Sequence, residues 1–157
     1  MDTGDQLQIL ARLVLAAFLG AFIGLERELR GYPAGVRTVA LVTAGSALFT
    51  EISRLMGSQD RIAAGIVSGI GFLGAGLIFR EGYTVRGITT AATVWAAAAI
   101  GMDVARELYL VAGLGALLVF VLLEARPVVR RLEALILSLG KELVLHEDEH
   151  DQEHGHK

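Results

Sequence analysis

Three glycines in "SGIGFLGAGLIF", Gly69, Gly71 and Gly74, stand at the G-x-G-x-x-G spacing of a dinucleotide-binding loop. That chemistry needs a strand before the glycines, a helix opening on them, and an acidic residue about 20 positions onward for the ribose. Here "RIAAGIV" runs straight into the glycines, and "TTAATVW" occupies the downstream place, without an acid. No G-K-[ST] follows, so a phosphate-cradling P-loop fails as well. Wound as a helix at about 100° per residue, Ala64, Ser68, Gly71 and Ala75 fall on one stripe, and Gly65, Gly69 and Gly76 on the next. Ile66, Ile70, Leu73 and Leu77 lie opposite. A small face of this kind suits close helix contact, and Gly65–Gly69 and Gly20–Gly24 are both G-x-x-x-G pairs. The expected packing positions are therefore Gly20, Gly24, Gly65, Gly69, Gly71, Gly74 and Gly76, and no cofactor is predicted. The alternative use of such glycines is a bend that offers backbone carbonyls to an ion.

A second set of chemistry-bearing residues adjoins the apolar runs. "GLERE" carries Glu26, Arg27 and Glu28; "VRT" carries Arg37 and Thr38; "REGYTVRGITT" carries Arg80, Glu81, Arg86, Thr89 and Thr90. Charges that enter the edge of a bilayer are costly unless paired and often mark a binding site. The competing reading is that the arginines fix orientation and pair locally with glutamates. Glu26 with Arg37 is the expected buried pair, because both directly adjoin apolar runs. A Mg²⁺ site wants oxygen ligands, yet no carboxylate falls at mid-span, where a transport site belongs. Glu51, Asp60, Asp103 and Glu107 all fall at the opposite edge, where they can cluster. His146, His150, His154 and His156 alternate with acids at the C-terminus and are weak candidates for Zn²⁺, Ni²⁺ or Cu²⁺. There is no cysteine, which excludes disulfides and thiolate metal sites.

The elements that position these residues are set by hydropathy. Hydrophobic residues make up 54% of the chain and mean hydropathy is +0.56, more apolar than an ordinary soluble domain. Five runs stand out: Leu7 to Leu25 with one charge at Arg12, Thr38 to Thr50, Ile62 to Phe79, Gly87 to Met102, and Leu108 to Leu123. A membrane-crossing helix needs about 20 residues, and flanking Arg, Tyr or Thr at the headgroups can complete the shorter runs. A soluble helical bundle would show a polar face on every helix, which residues 62–79 and 108–123 lack. The expected fold is thus an all-α integral membrane protein with five transmembrane helices. Residues 1–125 form that domain, residues 126–145 an amphipathic interfacial helix, and residues 146–157 a disordered acidic, His-rich tail. A nucleic-acid partner is not expected; the partner in view is the lipid bilayer.

Arginine placement sets orientation. One side carries Arg27, Arg30, Arg37, Arg80, Arg86, Arg126, Arg130 and Arg131; the other carries Arg54, Arg61 and Arg106, with Arg12 near the start of the first span. Positive residues stay in the cytoplasm, so the chain reads as N-out and C-in. Glu26, Arg27, Glu28, Arg37, Thr38, Arg80, Arg86, Thr89 and Thr90 then form a polar cluster at the cytoplasmic edge.

"GLERELRGYPAGVRT" (24–38) and "RIAAGIVSGIGFLGAGLIFREGYTVRGITTAATVWAAAAIG" (61–101), in this order, resemble the N-terminal membrane domain of the MgtC/SapB family. The resemblance implies a five-helix protein of the bacterial inner membrane. Such proteins are associated with growth at low magnesium, with survival of pathogens in macrophages and, in one case, with inhibition of the F-type ATP synthase. They are not known as enzymes. Two functions follow as expectations: a non-enzymatic regulator acting by helix contact with another membrane complex, or a small transporter or channel for an ion or metabolite, built as a homodimer. Well-known members continue into a folded soluble domain after the point matching residue 125, where this chain has about thirty residues.

Overall fold

The computed structural model describes residues 2–57, 59–125 and 136. Among them the chain forms five helices, α1 (Thr3–Leu29), α2 (Val36–Leu55), α3 (Gln59–Gly76), α4 (Ile88–Ala105) and α5 (Tyr109–Glu124). A two-stranded antiparallel hairpin, β1 (Phe79–Glu81) and β2 (Thr84–Arg86), separates α3 from α4. The chain divides into one unit, Met1–Phe120, and a second, Val121–Lys157, of which the last turn of α5 is described. The expected interfacial helix (126–145, apart from Ile136) and the tail with His146, His150, His154 and His156 lie outside the described residues.

Helix α1 starts at a capping box in which Asp2 and Asp5 each accept from the other's backbone N–H, satisfying donors the helix leaves open. At 27 residues it is about 40 Å long, which takes Glu26 and Arg27 into its last turns. The turn to α2 is closed by the Glu28 carboxylate, which accepts from the Val36 N–H at 2.8 Å.

Helix α2 is the axis of the first unit, packed against α1, α3 and α4. Its backbone is approached from two sides. A Cβ on Gly20 of α1 would sit against the Thr43 hydroxyl and 2.8 Å from the Val39 carbonyl. A Cβ on Gly101 of α4 would sit against the Thr43 carbonyl oxygen and 2.9 Å from its carbon. Contact that close is possible only between glycine and backbone. Gly24 makes the same approach to Val36, with 2.7 Å from a Cβ to its Cα. Inside this contact the Thr43 hydroxyl donates to the Val39 carbonyl at 2.8 Å, so its polar group stays satisfied.

The third helix departs from the sequence expectation twice. The apolar run continues to Phe79, but α3 ends at Gly76 and the chain turns into the hairpin. Gly87 explains the turn: at φ +91° it lies against the Leu77 carbonyl, where any side chain would collide. The second departure concerns the small face. Gly65, Gly69, Gly71 and Gly76 have open space where a Cβ would be, and Gly74 alone touches another helix, with Ala91 Cβ at 3.5 Å. Among the described residues, then, helices meet closely at Gly20, Gly24 and Gly101, and the glycine stripe of α3 is uncovered. Alanines build the rest of the contact, since Ala91, Ala97, Ala98 and Ala105 of α4 are all buried.

Bulky apolar side chains point outward instead. Phe18 is 67% exposed, Phe72 81% and Leu110 75%, whereas Arg12, Glu26, Arg27 and Glu51 are buried. Water-soluble domains show the opposite arrangement.

Candidate functional site at the buried Arg27 end

At the end of the bundle formed by the last turns of α1 and the start of α4, Arg27 is 3% exposed. Its guanidinium donates to the Thr90 hydroxyl at 2.5 Å and lies 4.1 Å from the ring centroid of Tyr32, a cation–π stack. Tyr32 is placed there by the turn after α1, where its N–H donates to the Arg27 carbonyl at 2.9 Å. Glu26 is also buried, and its Oε1 pairs with Arg30 Nε at 2.8 Å. Its Oε2 accepts no hydrogen bond from the described residues. The result is a guanidinium of fixed orientation beside a carboxylate with one acceptor atom in reserve. A planar guanidinium held by three structural elements fixes how α1, the turn after it and α4 meet, and both Glu26 and Arg27 lie beneath the surface.

The other end of the bundle holds a second network. Arg12 donates to Glu51 at 2.8 Å, to Glu107 at 2.6 Å and to the Tyr109 hydroxyl at 3.2 Å. Arg54 donates to the second oxygen of Glu51 at 2.8–3.0 Å. Two arginines and two glutamates thus balance, tying α1, α2 and the α4–α5 turn together. Glu107 sits at φ +64°, at the position after a helix end where glycine is usual. The Leu108 N–H reaches the Asp103 carbonyl at 2.9 Å and the Glu107 N–H that of Val104 at 3.1 Å, which is the Schellman closure. A left-handed residue other than glycine costs about 1–2 kcal/mol; here its carboxylate gains Arg12.

The structure brings together only part of the expected edge cluster. Glu26, Arg27 and Thr90 converge, and Glu28 caps α2. Arg37 and Thr38 are exposed on α2; Glu26 pairs with Arg30 and not with Arg37. The reason is helical spacing: Arg30 lies four residues from Glu26 on the same face. Arg86 pairs with Glu81 across the hairpin at 3.1 Å, Arg80 donates to the Gly82 carbonyl, and both stay exposed. Thr89 is exposed and accepts from Thr93 through its carbonyl. Of the acids at the opposite end, Glu51 and Glu107 meet across Arg12. Tyr32 was not singled out by the sequence reasoning, although it follows Gly31 in the turn after an apolar run.

With this geometry in place, comparison with known proteins decides the family. The MgtC family model matches residues 13–132. The chain belongs to the MgtC family. It is 54% identical over 95 residues to Protein MgtC of Brucella abortus (strain 2308), covering 59% of this chain and 40% of that protein. It is 55% identical over 92 residues to Protein MgtC of Salmonella typhimurium (strain 14028s), covering 57% and 40%. An uncharacterized protein of Synechocystis sp. is 48% identical over 115 residues, covering 71% and 49%. The chain therefore spans less than half the length of these MgtC-family relatives. No solved structure matches. Family membership agrees with the inverted exterior: this is a membrane protein, and Thr3–Leu29 and Ile88–Ala105 are each long and apolar enough to cross a bilayer.

Proposed function

We propose that the chain is a multi-pass protein of the bacterial inner membrane, with five crossings, the N-terminus outside and the C-terminus inside, that regulates another membrane complex without catalysis. The observation that carries the reading is the inversion of the bundle: charges inside, large apolar side chains outside. An exterior of this kind is stable in lipid and is a surface for helix contact. Helix α5, 16 residues long, gives about 24 Å against a hydrocarbon core of about 30 Å; local thinning and interfacial residues close such a gap. In α2, Thr43, Thr50 and Glu51 are buried within the bundle, and the exposed Arg37 and Arg54 lie near its two ends.

The family resemblance links the role to growth at low magnesium and to virulence, and we place partner recognition at the end of the bundle whose geometry the buried Arg27 and Glu26 hold. Two measurements on the full chain test the proposal. Alkaline phosphatase fused after Ala125 should be inactive, and an active fusion contradicts the orientation. Proteoliposomes should show no flux of Mg²⁺, K⁺ or protons above empty vesicles; saturable flux would make the chain a transporter.

A further inference from the structure

A groove of about 660 Å³ runs between α2 and α3, in the first unit. Its floor is made by Gly45, Gly65 and Gly69, each with open space where a side chain would be, and its walls include Phe49, Ile66 and Leu73. One charge lines it: Arg61, at the start of α3, exposed and with no ion pair among the described residues. From Arg61 to Leu73 the helix rises about 18 Å, close to one leaflet's share, about 15 Å, of the hydrocarbon core. Arg61 therefore falls at headgroup depth when the remainder of the groove lies among acyl chains.

We propose that this groove binds one acyl chain of an anionic glycerophospholipid, with the lipid phosphate paired to Arg61. The walls select an apolar occupant, because a polar one would lose its hydrogen bonds there. The cation at the mouth selects a headgroup that carries phosphate. The missing side chains keep the trough open along its length, which explains glycine at three positions that no neighbouring helix requires. A second copy of the chain is the rival occupant, since Gly65 and Gly69 form a G-x-x-x-G pair. Arg61 at the mouth favours the lipid, whose phosphate supplies an anion that this cation lacks among the described residues. The inference rests on the membrane-embedded reading; membrane insertion of each variant is measured separately, so failure of that reading shows as loss of insertion and not as loss of lipid.

Native mass spectrometry of the full chain released from phosphatidylglycerol micelles tests it. The wild-type monomer should retain one phosphatidylglycerol at activation energies that strip bulk detergent. Gly69→Leu, which fills the trough, and Arg61→Gln, which removes the phosphate partner, should each lower the retained fraction at least fivefold. Gly113→Leu, at an open glycine of α5 outside the groove, should leave it unchanged. Equal retention in all four proteins overturns the proposal. So does a wild-type dimer that Gly69→Leu converts to monomer with lipid retention unaltered, which assigns the groove to a second copy.

Discussion

Adding a single methyl group to α4 tests how the bundle is held. In Gly101→Ala the new Cβ would lie 2.9 Å from the Thr43 carbonyl carbon and 3.2 Å from the Ala47 nitrogen, and closer still to the Thr43 oxygen. Ordinary contact is about 3.5–4.0 Å, so α4 must withdraw from α2 by roughly 1 Å or more. The obstacle is helical backbone, which cannot rotate away as a side chain can. Overpacking of this kind costs about 1–3 kcal/mol. Alanine also raises helix propensity over glycine by about 1 kcal/mol, so the single variant understates the clash. Gly69→Ala isolates that gain, because its Cβ meets open space. The difference between the two variants, about 1–3 kcal/mol, is then the packing term, or roughly 5- to 150-fold in the folded-to-unfolded ratio. Reversible unfolding of the full chain in mixed micelles, titrated with a denaturing detergent, measures both. Equal shifts for Gly101→Ala and Gly69→Ala would refute the claim that α2 and α4 meet backbone to backbone.

Two further outcomes follow from the network at the opposite end. Glu51→Ala leaves the buried Arg12 guanidinium with the exposed Glu107 as its one carboxylate, beside the Tyr109 hydroxyl, and should destabilise by about 3–5 kcal/mol in the same titration; the paired change of Arg12→Met with Glu51→Leu should recover most of the loss. At Glu107, Gly relieves the left-handed backbone while Ala keeps it strained, so Glu107→Gly should be more stable than Glu107→Ala by about 1 kcal/mol. Equal stability of those two variants would mean that the turn has moved.

Much of this was legible in the sequence because hydropathy and helix periodicity act locally. The apolar runs located all five helices to within a few residues, and the failed strand-turn-helix context of the G-x-G-x-x-G pattern turned a cofactor motif into a helix. Which glycines meet another helix was not legible. A G-x-x-x-G stripe states that close approach is allowed, and tertiary geometry decides whether it is used; Gly101, with no glycine four positions away, is used, while Gly65 and Gly69 are open. The Glu26 pairing failed for a related reason: adjacency to apolar runs predicts burial, which holds for Glu26 but not for Arg37, and Arg30 on the same helix face was nearer. The hairpin escaped because the seven residues between the two apolar runs, 80–86, carry too few alternations to distinguish strand from loop. Arg12 read as a charge near a span start, and its role as the hub of Glu51, Glu107 and Tyr109 depends on residues 39 to 97 positions away.

We place the activity in the Arg27 end and not in the acidic, His-rich tail. The measurement is complementation of growth at low magnesium in a strain lacking its own family member, with membrane levels of every variant monitored. Arg27→Gln, which removes the charge stacked on Tyr32 and bonded to Thr90, should insert normally and fail to complement. Arg37→Ala, at an exposed position, and deletion of residues 146–157 should both complement. Complementation by Arg27→Gln together with failure of the tail deletion, both proteins being present at normal levels, would contradict the assignment and move the activity to the tail.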